Sequence, residues 1–391
     1  MTTSMAANFA DTWRSCGAAE EGGDYCKSDA YTNILNTLSS CSDGGGKSVI
    51  LRGNSSKLSN SRVGDADLSV LVKALLAHGQ VTELDLSYNS ISDNGLGTLS
   101  LYLKDPSCSL QSLHLGFNDF TEQGADLLAN ALQFNGSLIS LSLDGCKIGG
   151  KGGIHIASML QVNRTLTHLG LAYTDLDADC IIAMATVLHG NQTLKSVDLS
   201  RPLLHSRLEE STIHISRMLQ VNSTLTELKL SLHSMTDTGC EWLCSHLLEN
   251  TSLTHLDLSS NKLSRDGGRH FAGLLRANTP LTSLNLSCNH IDDHGLTDIS
   301  SALLVNTRLT CLNVCYNKAG DGGLCELAAC LQTNNTSLTH LYIWGNLLGT
   351  PSCDAFRELL ESCRLHPDNT DVHSYVVDNI THLSRTRHHA Y

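Results

Sequence analysis

The chain has 391 residues, of which 41% are hydrophobic and 17% charged, a composition that folds and that exceeds one ordinary core. Lys and Arg number 26 against 39 Asp and Glu, a net charge of −13, which argues against a basic nucleic-acid face and against docking on an anionic membrane. The first thirty residues lack a basic start followed by an apolar run, and no stretch reaches the ~18 apolar residues of a spanning helix, so neither secretion nor membrane insertion is expected.

Residues 1–47 read as a partly loose N-terminal cap with one helix, Asp29 to Leu38. From residue 48 the chain becomes periodic. The template L-x-x-L-x-L-x-x-N recurs at Leu110–Asn118, Leu253–Asn261 and Leu281–Asn289. Its last position falls at Asn54, Asn89, Asn118, Cys146, Thr174, Pro202, His233, Asn261, Asn289, Asn317 and Asn346, most often 28 or 29 residues apart. Each unit opens with an alternating stretch such as Leu284-Asn285-Leu286-Ser287, a strand with one face buried. It continues at helical spacing, as in Gly124 to Leu132, and six residues after the Asn position a Gly recurs at 95, 124, 152, 239, 267, 295 and 323. A small residue there lets the helix start approach the strand.

Strands stack at ~4.8 Å and helices at about 8–10 Å, so a stack with one on each side bends. The expected fold class is α/β: a leucine-rich-repeat solenoid, or horseshoe, of about eleven repeats over 48–364. Its parallel sheet lies on the concave side and its helices on the convex side. The Asn residues at 89, 118, 261, 289, 317 and 346 should turn inward as a ladder that satisfies loop backbone groups. The pattern weakens from Cys146 to His233, and the unit after Pro202 is three residues longer, read as a tolerated loop insertion rather than a dedicated binding loop. Residues 365–391 lose the pattern and read as a loose C-terminal tail.

Few motifs carry chemistry. Gly44-Gly45-Gly46-Lys47-Ser48 resembles the end of a phosphate-binding loop, but Cys41 stands where that loop needs its first Gly, and the segment precedes a strand. Cys288, Cys311 and Cys315 fall on neighbouring strands without a fourth zinc ligand. Cys240 and Cys244, one helical turn apart, read as packing. His114, His168, His255 and His340 occupy separated repeats and form neither a metal cluster nor a catalytic pair. The Asn-x-Ser/Thr triplets at 135, 163, 191, 222 and 250 recur at one place in the repeat and are repeat grammar rather than glycosylation sites. Fifteen scattered cysteines read as free thiols of a reducing compartment. No catalytic residue, metal or cofactor is expected.

The concave face carries acidic and aromatic residues, as protein-binding surfaces do. The residues expected to bind a partner are Tyr316, Tyr342, Trp344, Asp257, His255, Asp198, Tyr88 and Phe117, with the first three forming one aromatic patch on the last two strands.

The repeats resemble the ribonuclease-inhibitor class of leucine-rich repeats, shared by ribonuclease inhibitor, the Ran GTPase-activating protein and innate immune receptors. A closer resemblance to one member of that class is carried by Arg201–Leu204, Glu209–Thr212, Arg217–Leu219, Tyr342–Asn346, Pro367–Val372 and Tyr375–Asp378. It implies a nucleolar, nuclear and cytoplasmic protein linked to stem-cell pluripotency and proliferation, with nucleophosmin and nucleolin as partners. This reading is a monomeric, non-enzymatic scaffold. The alternatives are a GTPase activator of the Ran-activator type, for which no loop motif matches, and a structural component of motile cilia.

Overall fold

A computed structural model describes residues 47–55, 62–78, 81–204 and 208–386. The expected helix Asp29–Leu38, residues 44–46 and residues 205–207 of the long unit lie outside them. The chain divides into two compact units, 1–180 and 181–391.

The first unit runs β1 (Lys47–Ile50), α1 (Asp65–His78), β2 (Val81–Asp85), α2 (Asp93–Lys104), β3 (Ser112–His114), α3 (Glu122–Leu132), β4 (Ser140–Ser142), α4 (Gly149–Leu160) and β5 (His168–Gly170). Its strands pair in parallel, in chain order. Helix α5 (Ala178–Leu188) carries the boundary. The second unit runs β6 (Ser196–Asp198), α6 (Leu208–Val221), β7 (Glu227–Lys229), α7 (Asp237–Leu247), β8 (His255–Asp257), α8 (Arg265–Arg276), β9 (Ser283–Asn285), α9 (Asp292–Leu303), β10 (Cys311–Asn313), α10 (Asp321–Thr333), β11 (His340–Tyr342) and α11 (Thr350–Glu361). Strands β6 to β11 are again parallel neighbours. Each helix supplies the crossover that a parallel pair requires.

The fold is therefore the α/β leucine-rich-repeat arrangement expected, with eleven parallel strands. One apolar residue of each strand from β2 to β11 points into the core: Leu84, Leu113, Leu141 and Leu169 in the first unit, and Val197, Leu228, Leu256, Leu284, Leu312 and Leu341 in the second, are all at most 2% exposed. Register aligns these residues strand to strand, so each repeat buries its apolar face on its neighbours.

Three polar ladders satisfy the turns between elements. In the first, the Asn118 amide donates to the carbonyls of Leu86 and Leu115 at 2.9 and 2.8 Å, and its oxygen accepts the Ile91 N–H at 3.1 Å. Asn89, Asn261, Asn289, Asn317 and Asn346 repeat the pattern, all at most 9% exposed, whereas Asn54 is exposed. Where Asn is missing, the substitute keeps part of it. Cys146 Sγ donates to Leu115 O at 3.2 Å, Thr174 Oγ1 to Leu171 O at 2.6 Å, and His233 Nε2 meets Leu199 O at 2.9 Å.

The Asn-x-Ser/Thr residues form the second ladder, on the helix-to-strand turns. Asn163 donates to Leu132 O at 2.8 Å, at the end of the preceding helix, and accepts from the amides of Thr165 and Leu166. Asn135, Asn222, Asn250 and Asn335 repeat this, as does Asn306, whose triplet ends in Arg308. Burial accounts for their recurrence.

The third ladder was not anticipated. The Asp that opens one helix caps the next repeat's helix: Asp93 Oδ1 accepts the amides of Thr121 and Gly124, each at 2.8 Å, and Asp237 Oδ1 those of Ser264 and Gly267 at 2.8 and 2.9 Å. Asp65, Asp293 and Asp321 do the same. The recurring Gly thereby gains a sharper reason than strand packing. A Cβ on Gly124 would stand 2.6 Å from Asp93 Oδ1, and one on Gly267 2.7 Å from Asp237 Oδ1.

Residues after 364 are ordered, which corrects the expected loose tail as far as residue 386. A short 3-10 turn at Pro367–Asn369 leads to an antiparallel hairpin, β12 (Val372–Val377) and β13 (Ile380–Arg385), that packs on α11. Thr370 bridges Leu341, and the Asp371 carboxylate accepts the amides of Ile343 and Trp344 at 3.0 and 3.1 Å. Arg364 reaches the carbonyls of Leu331, Leu338 and Asn335. Two side chains thus supply the acceptors and donors that a further repeat would have brought.

Candidate functional site

The face of the sheet opposite the helices presents three columns, two, four and six residues before each ladder position. Short strands in exact register hold these side chains in rows ~4.8 Å apart. In the second unit the rows carry a charged polar wall. Asp198, Glu227 and Asp257 surround Lys229, whose Nζ lies 3.5 Å from Glu227 Oε1 and 3.9 Å from Asp198 Oδ2. Burial alone would lower the Lys229 pKa, but the carboxylates of Asp198, Glu227 and Asp257 outweigh it and hold it above its ordinary value. Lys229 stays a cation among three anions. Ser196 donates to Glu227 at 2.9 Å, Asn285 donates to Asp257 at 3.0 Å, and the Ser200 and Ser259 amides pin Asp198 and Asp257 from below. Exposed His255 stands at the margin.

In the first unit the same columns hold Asp85 with Arg52, and Asp144, whose carboxylate accepts from the Ser142 hydroxyl at 2.7 Å and the Ala172 amide at 2.8 Å. A separate row lies just before each ladder position. Tyr88, Phe117, Tyr173, Arg201, Leu232, Ser260, Cys288 and Tyr316 adopt φ between 54° and 61° there, with Gly145 and Gly345 in the same region. Tyr88 and Phe117 stack with centroids 4.5 Å apart and planes 7° apart. Phe117 lies over Gly145 and Tyr316 over Gly345, where any Cβ would collide with the ring. In these positions the rings cover the neighbouring turn.

The sequence-selected residues therefore separate. Asp198, Asp257 and His255 share the polar wall. Tyr88, Phe117 and Tyr316 belong to the left-handed row beside it. Tyr342 and Trp344 lie on the open face but at its capped end: Tyr342 is 7% exposed, Trp344 is half-buried, and Asp371 holds the Trp344 amide. The expected aromatic patch of Tyr316, Tyr342 and Trp344 is corrected accordingly, because the segment after α11 covers the edge strand. The alternating strand positions of Glu227 and Lys229 place both on the concave face from sequence alone, but did not single them out among its partner-binding residues. Among the described residues no group of three His, Cys, Asp or Glu is placed to hold a metal ion, and no helix is long and apolar enough to cross a membrane.

Strand-and-helix units of 28 or 29 residues, locked by an asparagine ladder, are the leucine-rich-repeat architecture. The family model described as Leucine Rich repeat matches residues 81–100, 107–129, 134–157, 221–244, 249–272 and 277–300. In particular, the chain is similar to leucine-rich repeat-containing protein 34 of Mus musculus, 40% identical over 188 residues, 48% of this chain and 45% of that protein. It thus spans less than half the length of that relative. NACHT, LRR and PYD domains-containing protein 14 of Mus musculus is 41% identical over 87 residues, 22% of this chain and 9% of that protein. An internalin structure from Listeria monocytogenes aligns at a TM-score of 0.42 and 16% identity, covering 93% of each chain.

Proposed function

We propose that this chain is a non-enzymatic protein-binding scaffold that docks partners on the open face of its sheet, through the wall of Asp198, Glu227, Lys229, His255 and Asp257. The observation that carries the reading is the state of that wall. Its charges are accessible, yet each carboxylate is already oriented by a serine, an asparagine or a backbone amide, so little side-chain entropy is lost on binding. A rigid, anionic face with one central cation suits a basic, hydrogen-bonding protein surface and favours its encounter electrostatically.

By its resemblance to leucine-rich repeat-containing protein 34 we further propose nuclear, nucleolar and cytoplasmic residence, a link to pluripotency and proliferation, and nucleophosmin and nucleolin as partners. Purified nucleophosmin and nucleolin, tested for binding to the full chain and to its Asp198→Lys/Asp257→Lys variant, examine both levels. Binding that falls at least tenfold in the variant supports the wall as the docking face. Equal binding by both forms rejects that assignment, and absence of binding by the wild type rejects these partners.

A further inference from the structure

Cys288 and Cys315 stand on adjacent repeats of the second unit. The Cys288 amide donates to the Cys315 carbonyl at 2.8 Å. That bond and the covalent lengths flanking it keep the two Cα atoms within about 7 Å, in or near disulfide reach. The two thiols differ in access and in partner. Cys288 is exposed, whereas Cys315 is buried and its Sγ donates to Asp371 Oδ2 at 2.9 Å. Burial, the Asp371 carboxylate and the Cys288 thiol all push the Cys315 thiol above its ordinary range. Cys315 is thus a poor first nucleophile, but its proton already faces a base. The same carboxylate holds the Ile343 and Trp344 amides and so ties the C-terminal segment to β11.

We propose that Cys288 and Cys315 form a peroxide-responsive disulfide site whose closure loosens the C-terminal cap. The exposed Cys288 thiolate attacks one oxygen of hydrogen peroxide, forming an S–O bond and breaking the O–O bond. The leaving hydroxide takes up the proton that Cys288 had released, giving a sulfenic acid and water. Cys315 then passes its proton to Asp371, and its sulfur attacks the Cys288 sulfur. The S–S bond forms, the S–O bond breaks, and the departing hydroxide recovers the proton from Asp371 as water. Two thiols and one peroxide become one disulfide and two waters. Cys315 must turn away from Asp371 to make this bond, which removes one of the donors that fix the carboxylate against β11.

The test treats the full chain with hydrogen peroxide, maps peptides without reductant, and follows amide exchange. The expected result is a Cys288–Cys315-linked peptide two hydrogens lighter than its parts, reversed by dithiothreitol and absent from Cys288→Ser and Cys315→Ser. Exchange at 341–344 and 370–386 should become several-fold faster in the oxidised wild type and stay unchanged in peroxide-treated Cys288→Ser. Cys315→Ser keeps a hydroxyl donor for Asp371, so it should retain the cap while Cys288 oxidises further, to the sulfinic acid. Wild-type protein that accumulates sulfinic Cys288 with Cys315 still reduced would overturn the site. A disulfide that forms without faster exchange in those segments would overturn its action on the cap.

Discussion

His233 occupies a ladder position that elsewhere belongs to Asn, and the exchange leaves a mark. Its Nε2 meets Leu199 O, but its buried Nδ1 has no hydrogen-bond partner among the described residues. Burial holds its pKa at about 4, against an ordinary value near 6.5. Above pH 6.5 the ring is neutral in both folded and unfolded chains and costs nothing on this account. As pH falls from 6.5 towards 4 the unfolded chain takes up a proton that the folded one refuses, so stability is lost across that window, up to about 3 kcal/mol. His233→Asn should flatten this part of a pH–stability curve measured by denaturant unfolding; an unchanged acid slope would show that the ring is not the cause. A second residue-scale departure is Asn278. Other members of its ladder accept the amide two residues on, as Asn250 does from Ser252, but that place is Pro280, which has no N–H. Asn278 instead turns to φ 52° and bonds Val305 and Thr307, beside a small cavity lined by Leu247, Leu253, Leu274 and Pro280. In Pro280→Ser the restored rung should contribute more than the ~0.4–1 kcal/mol lost in chain entropy, raising stability by about 1 kcal/mol. A lower melting temperature would contradict this. The Asn ladders were legible because their residue recurs; that Pro280 breaks one follows only from knowing which amide the Asn needs.

At the scale of elements, the helix starts hold the least anticipated device. Asp93, Asp237, Asp293 and Asp321 recur four residues after the ladder position, in fewer units than the glycines that stand six residues after it. Each was hidden because its helix is not the one it caps. Asp237→Ala removes acceptors from the Ser264 amide, the Ser264 hydroxyl and the Gly267 amide at the start of α8, and should cost about 1–2 kcal/mol. Asp266→Ala, on α8 itself and bonded only at the surface to Arg265 and Arg269, should cost within about 0.5 kcal/mol. Equal losses in chemical denaturation would refute the cross-repeat assignment. The ladder substitutes make fewer bonds than Asn, and Pro202 offers no side-chain donor at all, so amides across 146–233 should exchange faster than those across 253–346. Equal protection would mean that apolar packing, not the ladder, sets local stability. The C-terminal hairpin escaped sequence reading for a plain reason. Val372–Val377 and Ile380–Arg385 carry no repeat period, and the bonds of Asp371 and Arg364 that tie their segment to the last repeats join residues far apart in the sequence.

Across the whole molecule, an excess of 13 negative charges sets the terms on which partners arrive. The repeat architecture could be read from spacing alone, because each unit buries the same leucines against its neighbour. The proposed docking face was legible only by column. Alternation identified which positions point outward, but not that the cap buries Tyr342 or that Tyr316 lies over Gly345. The burial of Tyr342 and the left-handed backbone of Tyr316 depend on their neighbours and so could not be read from the residues themselves. The central claim is that partners bind the open strand face, and amide exchange of a purified complex tests it most directly. Bound partner should slow exchange in the segments around Ser196–Asp198, Glu227–Lys229 and His255–Asp257 while leaving α7 and α8 as in the free chain. Protection confined to α7 and α8, with the strand segments unchanged, would contradict the account.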